Sequence, residues 1–158
     1  MDRLDGKILD ALQRDASLSI GDLANKVGLS TTPCWRRVQA LEKSGLISGR
    51  VALVNPEAAG LKTTVFVALK TSRHDGEWLA RFAEAVQGIP EVVEIYRMAG
   101  DVDYLLKVLV ADIAGYDRVY KKLISRIELS DVSSSFAMEV IKRTTVVPLD
   151  QLPLKDSR

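Results

Sequence analysis

The sequence predicts an α+β chain in two parts, a helical N-terminal part and a C-terminal part whose strands and helices alternate as β-α-β-β-α-β. Three observations predict it. Apolar residues recur at helical spacing through residues 3–43, as in Leu4, Ile8 and Leu12 or Cys34, Val38 and Leu41. From Thr63 onward the composition turns β-branched, with Val65, Val67 and Leu69 alternating against Thr64, Phe66 and Ala68. Between the two parts stand Asn55-Pro56 and Gly60, residues that punctuate regular structure. The expected boundaries are 1–49 for the first domain, 50–61 for a linker strand and hinge, and 62–158 for the second.

In order, Leu4, Ile8, Leu9 and Leu12 predict an amphipathic helix over 3–14. Ser19 with Asp22 resembles a capping box opening a second helix, whose apolar stripe is Ile20, Leu23, Ala24 and Val27. Gly28 ends it, since glycine takes a positive φ at little cost. Ser30 is placed to cap a third helix over Thr31–Ser44, where Pro33 is tolerated because first-turn N–H groups lack helical partners. Helix, glycine turn and second helix make a helix-turn-helix pattern. Leu46 and Ile47, a Ser48-Gly49 turn and a strand from Arg50 to Val54 then predict a hairpin, which makes the motif the winged kind.

Cys34, Val38 and Leu41 give the third helix a buried stripe, and the opposite side carries Thr32, Arg36, Gln39 and Lys43. Hydroxyl, guanidinium, amide and ammonium groups in a row suit phosphates and base edges of a DNA major groove. The plainer alternative is a solvated helix face, and the preceding helix and turn are what favour the DNA reading. Ser30 and Thr31 at the positive end of the helix are expected to reach phosphates. Trp35 is expected either to stack on sugar or to pack on the wing. Arg37 points to one side, as suited to an ion pair as to DNA.

Beyond the hinge, strands are expected over Thr63–Thr71, Val92–Met98, Tyr104–Val110 and Val132–Lys142, and helices over Glu77–Val86 and Ile113–Ile127. This order is the ferredoxin-like unit, an antiparallel sheet with both helices on one face. The other face is expected to carry Val, Leu, Phe and Met side chains too apolar for water, hence to pair sheet to sheet in a dimer.

Composition limits the function. Net charge is +1, which argues against a general polyanion binder. Residues 34–50 nevertheless hold Arg36, Arg37, Lys43 and Arg50 against Glu42 alone, a local basic face. The single cysteine, Cys34, excludes an internal disulfide and a multi-cysteine metal site. The single histidine, His74, lies in an expected loop in the other domain, so no triad or metal site is expected from the pair. No apolar run reaches the length of a membrane span, and the first residues lack a signal peptide's apolar region, so a cytoplasmic location is expected.

The whole chain resembles the Lrp/AsnC (leucine-responsive regulatory protein / asparagine operon regulator) family of transcription factors. The residues that carry the resemblance are Leu4-Asp5, Ile8-Leu9, Asp22-Leu23-Ala24, Val27-Gly28-Leu29-Ser30, Cys34, Arg37-Val38, Leu41-Glu42 and Gly45-Leu46-Ile47. The second domain adds Gly100-Asp101, Asp103-Tyr104-Leu105-Leu106, Val140, Lys142, Thr144 and Pro148-Leu149. The resemblance implies a DNA-binding regulator rather than an enzyme, with double-stranded DNA and a small amino acid as partners. It implies dimers assembling into octamers or similar rings, with the amino acid between dimers and no other cofactor. Within that frame the expected effector site is the turn Met98, Gly100, Asp101, Asp103 and Tyr104. An aspartate there would meet the ligand's ammonium, and N–H groups around Gly100 its carboxylate. The run Ser133, Ser134 and Ser135 would complete the pocket from a neighbouring subunit. Ala99 stands where many family members carry Thr or Ser, which removes a hydroxyl contact. The competing functions are a small ferredoxin-like enzyme, which would need a polar catalytic group on the sheet, and an amino-acid sensor acting without DNA.

Overall fold

A computed structural model describes residues 1–73 and 75–150, so His74 lies outside the described residues. The chain divides into two compact units. One joins residues 1–53 with the described residues from Lys142 onward, and the other spans Val54–Ile141.

In the first unit, α1 (Arg3–Arg14), α2 (Ile20–Val27) and α3 (Thr31–Lys43) form where the apolar spacing places them. The Asp2 carboxylate accepts the N–H groups of Leu4 and Asp5, and the Asp5 carboxylate accepts that of Asp2, a full capping box on α1. The Ser19 hydroxyl accepts the Asp22 N–H and donates to the Asp22 carboxylate at 2.6 Å, so the second capping box forms only in part. Gly28 takes φ 77° and turns the chain from α2 toward α3. Ile8, Leu23, Cys34, Val38 and Leu41 close the small core, with Leu18, Leu29, Ile47 and Leu149 packed at its edge.

The strand pair expected after α3 is corrected. Among the described residues, 46–54 hold no strand pair. The Ile47 N–H turns back to the Leu41 carbonyl and so closes the end of α3 instead of starting a ladder. Val51, Leu53 and Val54 follow as exposed chain without regular structure.

The second unit runs β1 (Thr63–Lys70), α4 (Gly76–Gln87), β2 (Val92–Arg97), β3 (Tyr104–Val110), α5 (Ile113–Arg126) and β4 (Asp131–Phe136). The antiparallel strands lie in the order β2-β3-β1-β4, the expected ferredoxin-like arrangement. Asp75 and Asp112 cap α4 and α5 through the N–H groups of Trp78 and Gly115. Val65, Val67, Leu69, Leu106 and Val108 point at the helices, where Trp78, Phe82, Val119 and Leu123 cover them. The last strand is shorter than expected. Its final bond runs from the Ala137 N–H to the Thr64 carbonyl, and β1 begins one residue earlier, so nothing remains to pair with residues 138–142.

The open face is also more polar than expected. Val65, Val67, Val108 and Val110 turn inward, and Met98 falls beyond the end of β2. What faces outward is Phe66, Ala68, Leu105, Leu109 and Tyr96 beside Thr64, Ser133, Ser135 and a 2.6 Å Lys107–Glu94 ion pair.

Candidate nucleic-acid interface and effector site

α3 separates its residues cleanly. Cys34, Val38 and Leu41 are at most 4% exposed, while Thr31, Thr32, Trp35, Arg36, Gln39 and Lys43 are exposed. Burial pushes the Cys34 thiol pKa up, as fits a small core hydrophobe and not a reactive thiol. Ser30 occupies the cap position but its hydroxyl makes no capping bond. This corrects the expected cap and leaves the first turn of α3 without a side-chain acceptor. Arg36 and Lys43 make no ion pair with any described residue. Gln39 donates to Glu42 at 3.0 Å, and the other Glu42 oxygen accepts from Arg50 at 3.0 Å. Glu42 stood in the sequence as the one acid on the basic face, but its pairing with Gln39 was not read, although the i, i+3 spacing was visible.

Arg37 separates from the rest of the group. One of its terminal nitrogens donates to Asp2 and to Asp5, both at 2.7 Å. The two carboxylates hold the guanidinium pKa above its ordinary value. Of the two roles expected for Arg37, the structure shows the ion pair, which fastens α3 to the N-terminus of α1.

In the second unit, the turn after β2 is closed by the Met98 N–H on the Asp103 carbonyl at 2.8 Å. Gly100 takes φ 132°, a backbone region closed to most side chains. Met98, Gly100 and Asp101 are exposed. An oxygen of the Asp103 carboxylate accepts the Thr71 N–H at 2.8 Å, which ties the turn to the end of β1. Two expected residues point elsewhere. Tyr104 is buried against Phe82 and Trp78, with ring centroids 4.5 and 5.6 Å away. Ser134 pairs with the Tyr116 hydroxyl on the helix side of the sheet. Ser133 and Ser135 sit opposite Ala68 and Phe66 on the open face. Strand β1 separates β4 from β3, so the serines stand roughly 10 Å from the strand that follows the aspartate turn, by the usual strand spacing. One chain does not gather turn and serines into a single set of contacts.

Among the described residues no group of His, Cys, Asp and Glu is arranged to hold a metal ion. No helix among them is long and apolar enough to cross a membrane.

A helix-turn-helix with an exposed cationic second helix, joined in one chain to a βαββαβ unit, defines a two-domain DNA-binding regulator. The comparisons with known proteins agree. Residues 1–48 match the family model described as winged helix-turn-helix DNA-binding, and residues 64–147 match that of the Lrp/AsnC ligand binding domain. The chain is similar to the glutamate uptake regulatory protein of Zymomonas mobilis, 49% identical over all of this chain and 96% of the relative. It is 50% identical to the DNA-binding transcriptional activator DecR of Escherichia coli, over 95% of this chain and 99% of that protein. Among solved structures, an AsnC family transcriptional regulator from Agrobacterium tumefaciens superposes with a TM-score of 0.93 at 60% identity, covering 96% of this chain and 99% of the other. A Neisseria meningitidis transcriptional regulator, solved as a complex with L-Met, does so with a TM-score of 0.91 at 34% identity over the same shares. The chain belongs to the Lrp/AsnC family. It is a DNA-binding transcriptional regulator, not an enzyme.

Proposed function

We propose that the outer face of α3 reads operator DNA and that an amino acid bound at the second unit controls that reading. Thr32, Arg36, Gln39 and Lys43 contact base edges and phosphates, Ser30 and Thr31 meet phosphate at the helix N-terminus, and Trp35 stacks on sugar. The observation that carries this is the separation of α3 into a buried apolar stripe and an exposed polar one. Gln39 must exchange Glu42 for a base edge on binding, and that exchange favours sites able to repay it.

The effector is a free amino acid held at the Gly100-Asp101 turn, with Asp101 facing its ammonium and Asp103 holding the turn in shape. Ser133 and Ser135 come from another subunit, because within one chain β1 stands between them and the turn. The chain forms dimers through the open sheet face and assembles dimers into an octamer or similar ring, with the ligand between dimers. The Neisseria relative's L-Met complex supports an amino-acid ligand. Ligand binding then favours one assembly over another by differential affinity, and a coupling of roughly 1–3 kcal/mol is enough for regulation.

Titration of duplex DNA at several salt concentrations tests the first half. Arg36→Ala should weaken binding and lower the salt slope by about 1, and an unchanged slope would remove Arg36 from the phosphate contacts. A thermal-shift screen of the twenty amino acids tests the second half. A ligand whose shift survives Asp101→Ala would place the effector elsewhere.

A further inference from the structure

The first unit contains a segment that lies far from it in sequence. Gln13, at the end of α1, donates from Nε2 to the Val147 carbonyl at 3.0 Å and accepts the Val147 N–H on Oε1 at 2.9 Å. A primary amide offers one donor and one acceptor side by side, so it pairs with a peptide group much as a neighbouring strand would. Glutamate in its place would lack the donor, and lysine the acceptor. Two residues on, Leu149 packs against the helical core beside Leu12 and Ile47. Thr145, Val147 and Leu149 also wall a cavity of about 430 Å³ whose other sides are α1 and residues 46–49, the stretch that follows α3.

We infer that the groove between α1 and residues 46–49 is a docking surface for the chain's own segment 144–149, and that this segment completes the DNA-binding unit. Three helices alone bury a small core, and a strap that covers its edge adds apolar area where the missing strand pair adds none. Grouping of the segment with residues 1–53, although it follows β4, means that the chain passes between the two units twice. The DNA-binding unit is thereby tethered through residues on both sides of the sheet domain. A single hinge at 54–61 would leave it free to rotate about one connection.

Amide hydrogen exchange on the full-length protein tests this. The Val147 amide should be protected in the wild type and exchange roughly tenfold faster in Gln13→Ala, the size of one net hydrogen bond. A chain stopped after Arg143 should lose protection in α1 and residues 46–49 and bind duplex DNA more weakly, while the amides of β1 and β3 keep theirs. Should the shortened chain fail to fold, Leu149→Ser in the full chain should produce the same pattern. The inference is overturned by a Val147 amide already unprotected in the wild type, or by one whose protection survives Gln13→Ala. Protection in α1 that is indifferent to the stop would overturn it too. So would recovery of that protection when stopped and intact subunits are mixed, which would seat the segment on a partner copy.

Discussion

The side chains offered to DNA share one helix, whereas those offered to an effector come from a turn and a strand with another strand between them. α3 needs only its own periodicity and a buried stripe to present Thr32, Arg36 and Lys43 together. The turn at Gly100-Asp101 and the serines of β4 are placed by the sheet order, which keeps them apart within one chain. The supporting cores differ in the same way. The helical unit closes over short aliphatic side chains and fastens α3 with the Arg37 ion pairs. The sheet unit centres on packed rings, Trp78 stacked on Phe82 at 5.1 Å and Phe82 tilted against Tyr104 at 4.5 Å. A site on one element can be positioned by a polar clamp, while a site spread over several needs a large, rigid core beneath it.

Phe82→Ala should strike the second kind of support hardest. Removing a fully buried ring costs about 3–5 kcal/mol, and here it also unstacks Trp78 and Tyr104. The chain has two tryptophans, Trp35 in the helical unit and Trp78 in the sheet unit, so single-tryptophan variants follow the two units separately. Denaturant unfolding should show the large loss at Trp78. An equal loss at Trp35 would mean that the two cores melt as one.

Arg37→Gln tests the clamp. Removing the charge leaves Asp2 and Asp5 facing each other at the start of α1, and the pair is only partly shielded from water, so the cost is about 1–2 kcal/mol. It should appear at Trp35 and not at Trp78. Arg36→Ala, one residue away but on the exposed face, should stay within about 0.5 kcal/mol of wild type in stability. The two substitutions should exchange places in the DNA assay: Arg36→Ala lowers the salt slope and Arg37→Gln leaves it unchanged. Equal salt slopes for the two would return Arg37 to the DNA contacts.

Gly28→Ala should cost about 1 kcal/mol, because the left-handed turn between α2 and α3 strains any Cβ. No atom lies within 4 Å of where that Cβ would stand, so the loss is conformational and not steric. Melting of the Trp35 signal measures it. A neutral result would show that the turn can relax without tilting α3.

The parts that were legible in the sequence follow local rules. Helical spacing, the Ser19 cap, Gly28 and the alternation of β1 each involve residues within a few positions of one another. Apart from the Ser30 cap, which fails locally, the failures depend on a distant partner. Residues 50–54 have a strand's composition but no strand beside them. Residues 138–142 have a strand's composition past the point where β1 begins. Tyr104 and Ser134 lie in the expected stretches, but the register of β1, β3 and β4 turns both toward the helices. The placement of Arg37 could be half read, since Asp2 and Asp5 were the acidic groups nearest in kind, yet only the packing of α1 against α3 brings them to 2.7 Å. The return of Val147 to Gln13 spans nearly the whole chain, and no local pattern announces it.

The smallest expected effect concerns acid. The Asp2 carboxyl is held below its ordinary value of 3.8, first by the Asp5 backbone N–H and then by Arg37. The Glu91 carboxyl in the sheet unit is held below its ordinary 4.5, first by its own backbone N–H and then by Lys122. A depressed carboxyl binds fewer protons folded than unfolded, so its contribution is complete above the unfolded value and fades as pH falls through the folded one. Both units should therefore weaken below about pH 4, where these carboxylates begin to protonate. Asp2→Asn separates them. Asparagine caps a helix as well as aspartate but carries no charge for Arg37. The variant should flatten the acid limb at Trp35 and leave that at Trp78 unchanged. An unaltered limb at Trp35 would show that the Asp2 carboxylate does not carry the acid sensitivity of the helical unit.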